Sequence, residues 1–167
     1  MTTDEQLMLE FQRGSREAFS ELFARYRERI YGFFRRRLNH AARAEELAQE
    51  TFMAVLRAVE RYEPRAAFRS YLFGIAMNLL AAERRKAGRE EPGAASNPDP
   101  PVTENRDAAL VVRQALERLE VTDREVLLLR EYEQLSYAEI GELLCVPVGT
   151  VRSRLFRARL ALKELLS

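Results

Sequence analysis

Apolar positions recur at intervals of three and four along most of the chain, the spacing that gathers them on one face of an α-helix. The first run starts near Asp4 and carries Phe11, Phe19, Leu22, Phe23, Tyr26, Ile30, Phe33 and Phe34. A second run extends from Arg43 to about Tyr62, and a third from Ala66 to about Lys86. Between these two lies Tyr62-Glu63-Pro64-Arg65, where the proline blocks helix continuation and biases Glu63 toward extended backbone. The texture changes from Gly88 to Asn105, which holds four of the six prolines and few large apolar residues. Such a stretch reads as a flexible, Pro-rich linker. Periodicity then resumes over Ala108 to Leu119. Thr122-Asp123-Arg124-Glu125 reads as an N-terminal cap for a helix over Val126 to Tyr132, and Ser136-Tyr137-Ala138-Glu139 as a second cap for Ile140 to Leu144. Cys145 to Thr150 is a short break before a last helix from Val151 to about Leu166. No segment alternates as a strand does. The pattern predicts an all-α fold: two small helical domains, residues 1–89 and 107–167, joined by a linker over 90–106.

The last two helices have the outline of a helix-turn-helix. On a wheel of the final helix, Val151, Leu155, Ala158 and Leu162 gather on one face, the predicted core. Arg152, Ser153, Phe156, Arg157 and Leu160 gather on the other. A merely solvated face seldom mixes Phe and Leu with arginines. A face entering the major groove does: Arg reads guanine, Ser meets phosphate or base, and an apolar ring meets a thymine methyl. Arg154 and Arg159 flank the core face, suited to phosphates or to acidic neighbours.

The second run has its own two-faced wheel. Ala48, Phe52, Val55 and Val59 point one way, and Glu46, Gln49, Glu50, Met53 and Arg57 the other. A methionine among outward polar residues suits a partner surface, because its side chain packs adaptably. Across the proline break, aromatics alternate with arginines, the composition that holds unpaired bases by stacking and a phosphate backbone by charge.

Whole-chain charge hides this. The 167 residues carry 27 Lys and Arg against 26 Asp and Glu, a net of +1. Residues 107–147 hold nine acids and four arginines, a net of −5, whereas residues 148–167 carry +4. The acidic scaffold thus carries one basic helix. The basic runs Arg35-Arg36-Arg37 and Arg84-Arg85-Lys86 suit either phosphates or solvent. One Cys and one His exclude an internal disulfide and a His/Cys metal site, and a reducing, cytoplasmic compartment fits. Cys145 is expected to be buried and inert, and His40 to be a turn residue. No apolar run reaches the ~20 residues that span a bilayer, and the polar start Met1-Thr2-Thr3-Asp4-Glu5 does not resemble a secretory leader. The chain shows no Gly-rich phosphate loop and no nucleophile–base pair, so neither an enzyme nor a cofactor site is expected.

The stretch from Leu135 to Arg159, with Pro147-Val148-Gly149-Thr150-Val151-Arg152-Ser153-Arg154 at its centre, closely resembles the DNA-reading region of extracytoplasmic-function sigma factors, a group of the sigma-70 family of bacterial RNA polymerase. Gly14, Ala18-Phe19, Leu22 and Arg25-Tyr26 resemble the start of that family's other domain, and Ala44 to Phe52 its polymerase-binding stretch. The resemblance implies that Arg130, Thr150, Arg152, Ser153, Phe156 and Arg157 meet the minus-thirty-five promoter element. It implies that Tyr62, Glu63, Pro64, Arg65 and Phe68 line a pocket for an extruded base of the minus-ten element, with Tyr71, Phe73 and Asn78 on neighbouring bases. Phe68 also stands at helical spacing with Leu72, Ile75 and Leu79, so it serves either core or pocket. The resemblance also implies that Glu46, Leu47, Gln49 and Glu50, with Met53 and Arg57 just beyond that stretch, bind core polymerase. The implied partners are core RNA polymerase, through its beta-prime coiled coil and beta flap, promoter DNA, and an anti-sigma factor. A stand-alone helix-turn-helix regulator is the alternative, though it needs neither the outward Glu46/Gln49/Met53 face nor the aromatic–Arg loop.

Overall fold

The computed structural model describes residues 1–89 and 106–167, and every regular element among them is a helix. The linker predicted over 90–106 lies outside the described residues, except that Arg106 already opens a helix. The chain divides into two compact units, Met1–Asp99 and Pro100–Ser167.

The first unit contains α1 (Asp4–Gln12), α2 (Arg16–Arg37), α3 (Ala41–Ala58), a single 3₁₀ turn (Val59–Arg61) and α4 (Phe68–Arg89). Sequence periodicity ran α1 and α2 together. The structure parts them at Gly14, whose φ of 108° suits only a residue without a side chain. Both helices have real starts: Thr3 and Gln6 form a capping box, and the Ser15 hydroxyl accepts from the Ala18 N–H. Asp4 then ties the pair together, accepting from Arg25 at 2.8 Å and from the Tyr26 hydroxyl. The core is aromatic. Phe33 meets Phe34 edge-on and Phe73 across from α4, and Phe23 meets Phe52 of α3. Because α4 packs on both α2 and α3, its buried stripe is wider than the wheel implied. Phe68, Leu72, Phe73, Ala76 and Leu80 are buried, while Ile75 and Leu79 are only half-buried. The run at Arg35–Arg37 does local work: Arg35 donates to the Leu38 carbonyl and Arg37 to the Phe33 carbonyl, with the Arg37 guanidinium 3.9 Å from the Phe33 ring centre. His40 stands at the N-cap of α3, in the turn expected of it.

The second unit contains α5 (Arg106–Glu117), α6 (Val121–Glu131), α7 (Tyr137–Leu144) and α8 (Val148–Leu166). The predicted cap at Thr122 is two residues too late: Glu120 stands at the N-cap and α6 starts at Val121, so Thr122 and Asp123 lie inside its first turn. Ser136 is a true cap, with Glu139 completing the box. The break before α8 is only Cys145 to Pro147, because Pro147 sets up the helix start and its carbonyl accepts from Thr150 and Val151. Cys145 is exposed, not buried, and holds the left-handed conformation (φ 57°) that ends α7. Val151, Leu155 and Ala158 are buried as the wheel required, and Leu162 is half-buried.

Gly141 is where α7 and the turn meet. A Cβ there would lie 2.9 Å from the Val146 carbonyl oxygen, whereas one at Gly88 would meet nothing within 4 Å. Gly141→Ala should therefore destabilise the second unit by about 1–3 kcal/mol. Gly88→Ala, in an open helical position, should be neutral or stabilising by up to about 1 kcal/mol. Urea titrations followed by circular dichroism will show a lower midpoint for Gly141→Ala and an unchanged or higher one for Gly88→Ala.

Candidate nucleic-acid interface

The outer face of α8 is the most exposed apolar–basic surface of the second unit. Phe156 is 69% exposed, and Arg152, Ser153, Arg157 and Leu160 are exposed around it. The Ser153 hydroxyl donates to the Thr150 carbonyl at 3.1 Å. Thr150 itself is half-buried in the first turn. Arg157 is tied to Asp123 of α6 through Nε at 3.4 Å and Nη2 at 3.3 Å. Arg159 meets an acidic neighbour, Glu131, at 2.8 Å. Arg130 is half-buried: it donates to the Leu135 carbonyl at 3.0 Å and lies over the Tyr137 ring, so it braces the α6–α7 turn.

In the first unit, the segment after the 3₁₀ turn forms an open pocket of ≈ 330 Å³ lined by Ala58, Arg61, Tyr62, Glu63, Arg65 and Tyr71. Tyr62, Glu63 and Arg65 were expected there; Ala58 and Arg61 were not. Pro64 is exposed beside the pocket but is not among its lining residues. The Tyr62 ring is mostly buried, packed edge-on against Tyr71 at 5.2 Å and Phe68 at 6.5 Å. Burial pushes its hydroxyl up to about 12, and that buried oxygen has no hydrogen-bond partner among the described residues. Arg65 pairs with Glu63 at 2.6 Å on the exposed rim. The half-buried Tyr71 ring beside two guanidiniums and a carboxylate provides both a platform and hydrogen-bonding groups for a base.

Three predicted contact residues belong to the core instead. Phe68 and Phe73 are buried, and so is Leu47 of α3. Phe68 meets Tyr26 at 5.6 Å and Phe73 meets Phe33 at 5.8 Å, because α4 turns these rings toward α2. All three are at most 2% exposed. Tyr71 is half-buried and Asn78 exposed. On α3, Glu46, Gln49, Glu50, Met53 and Arg57 share the outer face as expected, with Met53 45% exposed. Inward, Ala48, Phe52 and Val55 are buried, and Val59 is half-buried where the 3₁₀ turn begins.

Residues 22–90 match Sigma-70 region 2 and residues 109–162 match Sigma-70, region 4. The chain belongs to the sigma-70 family. Its relatives place it in the extracytoplasmic-function group. It is 33% identical to the RNA polymerase sigma-H factor of Pseudomonas aeruginosa over 180 residues, covering 98% of this chain and 93% of that one. It is 34% identical to the RNA polymerase sigma factor CarQ of Myxococcus xanthus, covering 95% of each. It is 33% identical to the ECF RNA polymerase sigma-E factor of Escherichia coli, covering 96% and 92%. Among solved structures it is similar to CnrH in complex with the cytosolic domain of CnrY, with a TM-score of 0.76, 27% identity, and coverage of 98% and 96%. This sigma factor directs promoter-specific transcription initiation.

Two supports of the sigma factor's surfaces carry no sequence signal. Gln12, an ordinary glutamine on α1, donates its amide to the carbonyls of Val59 at 3.0 Å, Glu60 at 3.4 Å and Tyr62 at 3.1 Å. These run from the start of the 3₁₀ turn to its C-cap, where carbonyls run short of helical partners. Arg43 binds Glu83 of α4 through two bonds of 2.9 and 2.6 Å, and Glu46 of its own helix at 2.8 Å. It thereby fixes one of the outward carboxylates of α3. Hydrogen bonds from Arg43 hold the Glu83 carboxyl below its ordinary value of 4.5.

A lowered folded pKa stabilises the native state above the unfolded value, and that contribution disappears as pH falls through the folded one. Glu83→Gln should therefore be less stable than the parent at neutral pH. The difference should close as pH drops from about 4.5; denaturant midpoints across that range test it. Gln12→Met should speed amide hydrogen exchange across residues 59–65 and leave α8 unchanged, a comparison mass spectrometry resolves.

Proposed function

We propose that this sigma factor divides promoter recognition between its two units. Residues 1–89 dock on core polymerase and hold the melted minus-ten element. Residues 107–167 read the minus-thirty-five element, and residues 90–106 link them. The observation that carries this reading is the face of α8, where Phe156 stands exposed among Arg152, Ser153 and Arg157. Apolar surface of that size beside three hydrogen-bonding side chains suits a major groove better than water.

In this reading Phe156 meets a thymine methyl, Arg152 and Arg157 meet base edges or adjacent phosphates, and Ser153 adds a polar contact. Arg130 contacts the DNA backbone beside the minus-thirty-five element, and Thr150 lies in the first turn of the reading helix. The pocket of Tyr62, Glu63, Arg65 and Tyr71 receives an extruded base, with Asn78 on a neighbouring one. The Glu46/Gln49/Glu50/Met53/Arg57 face meets the beta-prime coiled coil, and the second unit meets the beta flap. An anti-sigma factor holds the protein inactive; the likeness to CnrH, whose structure is a complex with the cytosolic domain of CnrY, supports this. The protein acts in the cytoplasm and performs no covalent chemistry of its own.

Reconstituted transcription tests it. Purified protein with core polymerase should start transcription at promoters the core alone ignores. Phe156→Ala should lower promoter use about tenfold through the upstream element. Arg65→Ala should alter base preference at the downstream one. Met53→Glu should weaken capture by core polymerase without changing DNA preference. Unchanged promoter choice in both DNA-face variants would reject the site assignments.

A further inference from the structure

Asp123 and Arg157 make an unequal pair. The Asp123 side chain is 10% exposed and that of Arg157 56%. Burying a carboxylate costs solvation, and a half-exposed arginine returns little of it as stability. The neighbouring bridge between the same two helices is ordinary by comparison: Arg159 and Glu131 are 51% and 49% exposed. Asp123 is also held in place. It lies in the first turn of α6, where the helix end favours a negative charge.

The geometry of the bond says what the pair does. Asp123 takes the side of the guanidinium, Oδ2 from Nε and Oδ1 from Nη2. The other edge, formed by Nη1 and the second hydrogen of Nη2, stays available. That end-on edge presents two parallel N–H donors that fit O6 and N7 of guanine. It also stands on the exposed face of α8 beside Phe156. An arginine already fixed by a buried partner loses less rotamer freedom when it binds.

We propose that Asp123 is a positioning residue for base reading. It holds Arg157 side-on, so that the end-on edge of the guanidinium is presented to one guanine of the upstream promoter element. A free arginine in the same place would settle on the nearest phosphate, which carries no sequence information. This rests on the reading of α8 as the minus-thirty-five reader, and gives that reading one base-specific contact.

The test uses holoenzyme reconstituted from the full chain and core polymerase, selected against duplex promoters randomised across the upstream element. The parent protein should prefer guanine at one position. Asp123→Asn, which keeps the shape of the side chain, and Asp123→Ala should each lose that preference about tenfold and keep the preferences at every other position. Arg157→Lys should lose the same position, because an ammonium has no planar fork. The double variant Asp123→Asn/Arg157→Lys should be no worse than either single one. Glu131→Gln, which breaks the neighbouring bridge, should change nothing. The proposal is overturned if the Asp123 variants weaken all sequences equally, or if Arg157→Lys, an exposed substitution that leaves the core intact, keeps the guanine preference. If Arg157→Ala leaves preference untouched at every position, the reading of α8 itself fails, an outcome distinct from loss of the Asp123 effect alone.

Discussion

Helical periodicity gives α3, α4 and α8 two faces each, and the core takes one of them. Everything outward follows from that constraint. On α8 the core takes Val151, Leu155 and Ala158, which leaves Arg152, Ser153, Phe156 and Arg157 together in the open. On α3 it takes Leu47, Ala48, Phe52 and Val55, which gathers Glu46, Gln49, Glu50 and Met53 outside. On α4 the core takes more, because the helix packs on two neighbours. Phe68 and Phe73 are drawn inward, and Tyr71 is left at the rim with Tyr62. The aromatic rings that face the pocket thus rest on aromatic rings that do not.

The surfaces are then sharpened by polar contacts that cross between helices. Gln12 of α1 ties down the carbonyls that lead into the pocket, and Arg43 bridges α3 to α4 while fixing Glu46. Asp123 of α6 fixes Arg157 of α8. In each case a side chain outside the recognition segment restricts a group inside it, backbone for Gln12 and a side chain for Arg43 and Asp123. Restricting a flexible side chain before binding reduces the entropy lost on binding. A protein whose net charge is only +1 gains little from bulk attraction to DNA, so placement of individual charges matters more than their sum.

The turn between α7 and α8 shows how little space the reading helix leaves to chance. Gly141 has no room for a Cβ against the Val146 carbonyl, and Cys145 reverses the chain at a positive φ. Pro147 then opens α8. With the N-terminal turn of α8 set by this contact, the reading helix keeps a fixed orientation relative to α7.

The sequence alone determined that the described residues fold as helices, and which sides of α3 and α8 turn inward. A period of 3.6 is a local property, and where a helix packs on one side the apolar stripe and the outer face can be read from spacing. The Ser136 cap was legible for the same reason, being set by residues three apart. What spacing could not decide was how many sides of a helix are covered. That is why Phe73 was expected at the DNA and found in the core, why Phe68, expected in either core or pocket, is core, and why Leu47 was expected on the docking face and found beneath it. Nor could it find Gln12, Asp123 or the reach of Arg43 to Glu83, whose partners lie 47 to 50, 34 and 40 residues away along the chain. Contacts of that separation exist only once the helices have packed, and only the tertiary structure brings them together.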